Sequence, residues 1–338
     1  MIRSKSGALA AAAVLAAVLA VVLSGAGANA ADMTCTKDAP NPYTLDAGWA
    51  KMPEGRKLGS TSALGIGADG HVWAAERCGA NTCVGSTLAP VMQFDSTGKV
   101  ISNWGSGLFA QPHGITVNQD GSLWITDDQS ADGKGQQAIK FSKGGKVLMA
   151  LGKAGMAGKA ADQFDQPTSV AVAKNGDIFV SEGHAPSNGN SRIDKFDKTG
   201  KLIKSWGTPG AGPDQMLGPH ALAFDSKGRL FVADRNNSRV LIFDQGGKLL
   251  DTWKQFGMPQ GMFIDAKDIL YVSDTGSPVA SGCRGIRVGS AKDGKVTAFI
   301  PDPSTAEGGS GAEGLVADGK GNIYGATVAS RELLHWTK

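Results

Sequence analysis

Short runs of alternating apolar and polar residues recur along the chain, each broken by a polar turn. In QPHGITVNQDGSLWITDD, which starts at Gln111, Ile115 and Val117 precede an Asp-Gly turn and a second run carries Trp124. QPTSVAVAKNGDIFVSEG from Gln166 and GPHALAFDSKGRLFVADR from Gly218 keep the same framework, with Phe179 and Phe231 in the second run. Period-two alternation on both sides of a glycine turn predicts a β-hairpin. Aligning Gly70, Gly121, Gly176, Gly228 and Gly321, with Asp268 standing in for one copy, gives six units. Their spacing is irregular, roughly 40 to 55 residues, within the range of repeat architectures.

A second hairpin follows in most units: QFDSTGKVISNWG, KFSKGGKVLMALG, KFDKTGKLIKSWG and IFDQGGKLLDTWK. Two hairpins per unit make a four-stranded antiparallel blade, and blades that cannot bury both faces alone must stack. The expected fold is therefore all-β, a six-bladed β-propeller. The last unit runs through NIYGATV to ELLHWTK and stops after three strands, whereas Tyr43–Trp49 precedes the first unit without a partner. The N-terminal strand should complete the last blade. Three segments follow: 1–30, a signal peptide; 31–57, an N-terminal segment with the closing strand; and 58–338, the propeller. The Gly-His and Trp-Asp signature of WD40 repeats is missing.

Composition adds the setting. Arg3 and Lys5, an apolar stretch from Ala8 to Leu23, and Ala28-Asn29-Ala30 have the layout of a cleavable secretory signal, which favours cleavage near Ala30 over a retained membrane anchor. The expected location is periplasmic or secreted. Losing Arg3 and Lys5 lowers the net charge from +3 to +1, a balance with no electrostatic footprint for nucleic acid or an anionic membrane. A monomer acting on a small molecule is the expectation. The 48 glycines punctuate the chain as turns and form no low-complexity block. Export permits disulfides; Cys78 and Cys83, close in sequence, are the expected pair, while Cys35 and Cys283 either pair or stay apart.

The residue after each repeat's proline varies while its surroundings do not. Aligned by their turns, the six slots hold Ser62, His113, Thr168, His220, Gln260 and Glu313, and the strands returning to the same face end in Glu76-Arg77, Asp127-Asp128, Glu182-Gly183-His184, Asp234-Arg235, Asp274-Thr275 and Thr327-Val328. All are expected around one mouth of the central channel. Three of the five histidines fall there, which sets metal ligation against ordinary hydrogen-bonded loop residues. His113, His220 and Glu313 come from alternate blades and form a three-ligand set with an open position, as catalytic zinc sites do.

The repeats look like the NHL type. The paired PHG and PHA openings, NSRI from Asn190 and VADRNNSRV from Val232 resemble the catalytic core of peptidyl-α-hydroxyglycine α-amidating lyases, over nearly all of the chain beyond the leader. The resemblance implies a zinc site with two of its three histidines at His113 and His220 and the third position at Glu313. It implies that Arg77 and Arg235 hold the substrate's carboxylate through bidentate hydrogen bonds. The family's tyrosine base falls at His184, beside an insertion, APSNG, so His184 takes the base's role here. A structural calcium would use carbonyls of Leu64 and Ile115, but its acidic ligand falls at Gly314, which weakens the case for calcium.

The leading expectation is thus a secreted lyase that uses Zn²⁺ or another divalent metal and cleaves the C–N bond of a carbinolamide, the substrate being a small molecule or peptide with a carboxylate. The alternatives are a non-catalytic periplasmic binding propeller and a divalent-metal lactonase or esterase; the acidic strand ends Glu76, Asp127, Asp128, Glu182 and Asp234 fit the latter, but such residues end strands routinely and their expected role is mainly structural. No nucleophile elbow, phosphate loop or haem attachment motif is present.

Overall fold

The structure is a computed structural model that describes residues 34–184, 190–304 and 311–338. The leader and the APSNG insertion lie outside the described residues.

Six four-stranded antiparallel sheets follow one another around an axis. The innermost strands of blades one to six are Leu64–Ile66, Pro112–Val117, Pro167–Val172, Pro219–Phe224, Pro259–Ile264 and Gly314–Ala317. Each pairs with the next strand through the predicted hairpin, for example Val117 opposite Leu123 and Phe224 opposite Leu230. Within a second strand, successive side chains enter opposite interblade layers: Leu123 and Ile125 pack toward blade one, and Trp124 packs toward blade three. Burial on both faces explains why strands such as Leu123–Asp127 and Leu230–Asp234 are buried at every position. The outermost strands have one face in water and alternate instead, as Val100–Trp104 does.

The ring closes as expected. Thr44–Asp46 forms the outer strand of blade six, with Thr44 opposite Thr337 and Asp46 opposite His335. Tyr43 and Trp49, on either side of this short strand, are buried in two different interblade clusters. The N-terminal segment has a second attachment: Cys35 forms a disulfide with Cys283 of blade five, settling the pairing that the sequence leaves open. The Arg287 guanidinium, wholly buried, donates to the Thr36, Phe256 and Cys283 carbonyls at 2.8, 3.2 and 2.6 Å and so ties this segment to blade five. Cys78 and Cys83 form the second disulfide. Two disulfides suit an oxidising compartment. Among the described residues no helix is long and apolar enough to cross a membrane.

Candidate functional site

The slot residues owe their direction to a local irregularity. Pairing between the two inner strands breaks register between Pro112 and Ile115, Pro167 and Ser169, Pro219 and Leu222, and Pro259 and Met262. Such a bulge re-aims the side chains within it, and the residues it contains include His113, Thr168, His220 and Gln260. Gly114 adds to this, since a Cβ there would lie 2.3 Å from the Thr168 carbonyl oxygen. Its absence allows the blade-two strand to press against blade three at the slot. These slots line a central cavity of about 390 Å³ whose walls are the inner strands.

At one end of the cavity the histidines meet. The ring centres of His113 and His220 are 4.7 Å apart, and His184 lies 4.8 and 5.3 Å from them. One donor atom from each of His113, His184, His220 and Glu313 falls within 4.8 Å of the others. His113 Nδ1 is 2.9 Å from the Thr168 carbonyl, and His220 Nδ1 is 3.0 Å from the Gln260 carbonyl. A carbonyl only accepts, so each Nδ1 carries the proton and each Nε2 keeps its lone pair. This is the outer arrangement of a metal-binding imidazole. Both Nε2 atoms are buried without a hydrogen-bond partner, and His220 Nε2 stands 3.4 Å from Glu313 Oε1. Buried lone pairs left open are costly unless something occupies the centre, and a divalent cation fits this nitrogen and oxygen set.

Electrostatics favour the same state. Burial, helped by the charges of His220, His184 and Arg77, holds His113 well below the usual imidazole range. Burial with His220, Arg235 and Arg77 pushes His184 down to about 2. His220 is lowered by burial, partly offset by Glu313. Burial opposes the charge on Glu313, but His220, Arg77 and Arg235 outweigh it and lower its pKa. Neutral imidazoles beside an ionised carboxylate are the forms that bind metal.

The two arginines flank this centre. Arg77 Nη1 donates to Asn81 Oδ1 at 2.7 Å and Nε to the Pro112 carbonyl at 3.2 Å. Arg235 Nη2 donates to the His184 carbonyl at 2.8 Å, and Nη1 lies 3.4 Å from His184 Nε2. The structure therefore brings together all six residues singled out as metal ligands or catalytic groups. It groups His184 with the ligand atoms, although the sequence comparison gave it the base's position. Asn81 is a residue that sequence reasoning missed, and only its place inside the Cys78–Cys83 loop hinted at it.

Five of the acidic strand ends have the structural role that such residues ordinarily take, accepting backbone N–H groups from loops that approach their blades. Asp127 accepts from Ala110 and Gln111 at 2.8 and 2.6 Å, Asp234 from Leu217 at 2.6 Å, and Glu76 from Gly59 at 2.6 Å. Glu182 and Asp274 accept from Asp165 and Met258 in the same way. They are anchors for the loops; Asp128 is not among them. Leu64, Ile115 and Gly314 line the cavity as the calcium comparison requires, and no carboxylate appears among its described lining residues.

The NHL repeat model matches residues 109–131 and 216–243. A probable peptidyl-α-hydroxyglycine α-amidating lyase of Caenorhabditis elegans is 34% identical over 201 residues, 53% of this chain and 54% of that protein. The chain is an NHL-repeat propeller resembling the amidating lyases. NHL repeat-containing protein 3 of Homo sapiens is 31% identical over 199 residues, 57% of this chain and 54% of its own. Each match thus spans about half the length of the curated relative. Among solved structures, a gluconolactonase from Xanthomonas campestris superposes with a TM-score of 0.56 at 16% identity, covering 90% of this chain and 96% of that one. At that identity the likeness is one of fold. One NHL repeat match contains His113 and the other His220 and Arg235.

Proposed function

We propose that this chain is an exported, metal-dependent carbon–nitrogen lyase that opens carbinolamides of the α-hydroxyglycine type to an amide and a glyoxylate-like aldehyde. The observation that carries the reading is the pair of buried, unpartnered Nε2 atoms on His113 and His220, converging with His184 and Glu313 between two guanidinium groups. The names of the amidating-lyase relatives support the reaction class. His113, His220 and Glu313 would hold Zn²⁺ or another divalent ion, with His184 as a further donor. Such an ion, when bound, supplies Lewis-acid polarisation of the substrate oxygen. Arg77 and Arg235 bind and orient the substrate carboxylate, and the buried walls around His113 and His220 keep water from the reacting bond. The protein works as a monomer after loss of its leader near Ala30, on a small molecule or peptide.

Metal analysis of the purified protein should find about one divalent ion per chain, lost on replacing His113 and His220 together with alanine. Native protein without metal, or full retention in the double variant, overturns the metal. Assaying α-hydroxyhippurate beside simple lactones separates the reaction classes: release of benzamide and glyoxylate supports the lyase. Binding without turnover supports instead a non-catalytic propeller.

A further inference from the structure

In four of the first five blades the residue that follows the strand-end anchor carries a polar side chain; blade three has Gly183 there. In blade one it is Arg77 after Glu76, in blade four Arg235 after Asp234, and in blade five Thr275, whose hydroxyl donates to Gln260 in the slot of the same blade. Blade two places Asp128 in this position. Its backbone N–H donates to the Gln111 carbonyl at 3.1 Å, one residue before the Pro112 carbonyl that receives Arg77 Nε at 3.2 Å. The Asp128 backbone and the Arg77 guanidinium are thereby fastened to successive peptide groups where the strand that delivers His113 begins.

Asp128 is fully buried, and neither of its carboxylate oxygens has a hydrogen-bond partner. Its neighbour Asp127 shows what a structural carboxylate in this fold looks like, with each oxygen receiving a backbone N–H. A buried carboxylate without a donor is unfavourable by itself, which marks it as a group kept for what it does. The charged groups acting on it are Arg77 from blade one, Asp127 from its own strand and Glu313 from blade six.

We propose that Asp128 is the general base of the lyase step, a role that rests on the lyase reading above, and that His184 serves as a metal ligand. The Asp128 carboxylate takes the proton of the substrate's α-hydroxyl group. The O–H bonding pair becomes the second bond of the new carbonyl, the Cα–N bond breaks, and its electron pair passes to nitrogen. Nitrogen then takes the proton back from Asp128, so the amide and the aldehyde leave and the carboxylate is restored. One proton moves from oxygen to nitrogen, with no oxidant, reductant or water consumed. Burial, with Asp127 and Glu313 adding to it and Arg77 opposing, pushes Asp128 up to about 7, a suitable value for a base at neutral pH.

The test is steady-state turnover of α-hydroxyhippurate by the intact metal-loaded protein and its Asp128→Asn, Asp128→Glu and His184→Gln variants, with metal content and melting temperature measured in parallel. Asp128→Asn should retain metal and fold, lose about 100-fold or more in kcat with little change in KM, and lose the rise in rate around pH 7. Asp128→Glu should recover part of kcat and keep that rise. Should Asp128→Asn not fold, Asp128→Ser carries the same expectations. The assignment is overturned if the Asp128 variant keeps kcat within about 3-fold of wild type, loses the metal, or keeps the rise near pH 7. His184→Gln losing kcat while retaining all its metal returns the base's role to His184 and overturns it as well. Wild-type protein that holds metal yet leaves α-hydroxyhippurate intact overturns the lyase reading and the base with it, whereas equal turnover by wild type and Asp128→Asn overturns the base alone.

Discussion

The two aspartates that end the second strand of blade two have the same chemistry and opposite surroundings. Asp127 accepts two backbone N–H bonds, and Asp128 accepts none although it is equally buried. The difference has a consequence for stability that does not depend on any reaction. An aspartate in the unfolded chain ionises near 4, whereas burial holds Asp128 in the folded chain at about 7. As pH rises through this window the unfolded state releases its proton first, so the folded state loses stability progressively, with the full loss present above about 7. Asp128→Asn removes that loss. The variant should unfold at higher urea than wild type at pH 8, by up to a few kcal/mol, and its advantage should shrink at pH 5. Urea midpoints at the two pH values check this, and a variant less stable than wild type at pH 8 would show that the carboxylate has partners in solution. Asp127→Asn should behave differently, because the Asp127 carboxylate holds the Ala110–Gln111 loop and its loss should cost about 1–3 kcal/mol.

Hairpins were legible at the level of elements because their signal is local. Alternation around each glycine turn, as between Val117 and Leu123, needs no knowledge of the rest of the chain, and the register matches it. The bulges that turn His113 and His220 toward the axis left no comparable mark, since they arise where the proline-led strand start meets its partner. Repeat alignment nevertheless found the slots, because bulged positions stay equivalent from blade to blade. It could not separate Asp127 from Asp128, one turned into its own blade and the other left beside Arg77, because sequence order does not give side-chain direction. Nor did it group His184 with the ligands, a proximity created only when blades two, three and four converge. The loop closed by Cys78 and Cys83 shows the same limit, as its Asn81 receives the Arg77 guanidinium at 2.7 Å. Under the lyase reading, replacing both cysteines with serine should loosen Arg77 and raise KM for a carboxylate substrate about 3- to 10-fold, with a smaller change in kcat. Comparing α-hydroxyhippurate with its methyl ester provides the check, because the ester lacks the charge that Arg77 would bind. An equal rise for both substrates would rule out a role in carboxylate positioning.

Closure of the whole ring depends on one segment held at two points. The strand Thr44–Asp46 is only three residues long and its side chains are exposed, so pairing with Leu333–Thr337 alone is a weak fastening. Burial of Tyr43 and Trp49 in adjacent interblade clusters strengthens it, and the Cys35–Cys283 disulfide fixes the start of the segment to blade five. The bridge spans 248 residues of sequence, and a crosslink over so long a loop is worth about 5 kcal/mol in the chain-entropy account. Replacing both cysteines with serine should lower the melting temperature by about 5–15 °C while leaving the β-sheet circular dichroism unchanged. Trp49→Ala should also destabilise, by about 3–5 kcal/mol, through the cavity left between blades six and one. The tether keeps the segment at high local concentration beside its docking site, so in the disulfide-bonded protein a weakened Trp49 contact can re-form without release of the chain. Without the tether it cannot, and the triple variant should lose more stability than the two changes predict separately. A thermal-unfolding cycle of the four proteins measures the difference; strict additivity would show that the disulfide and the closing strand act on independent parts of the molecule.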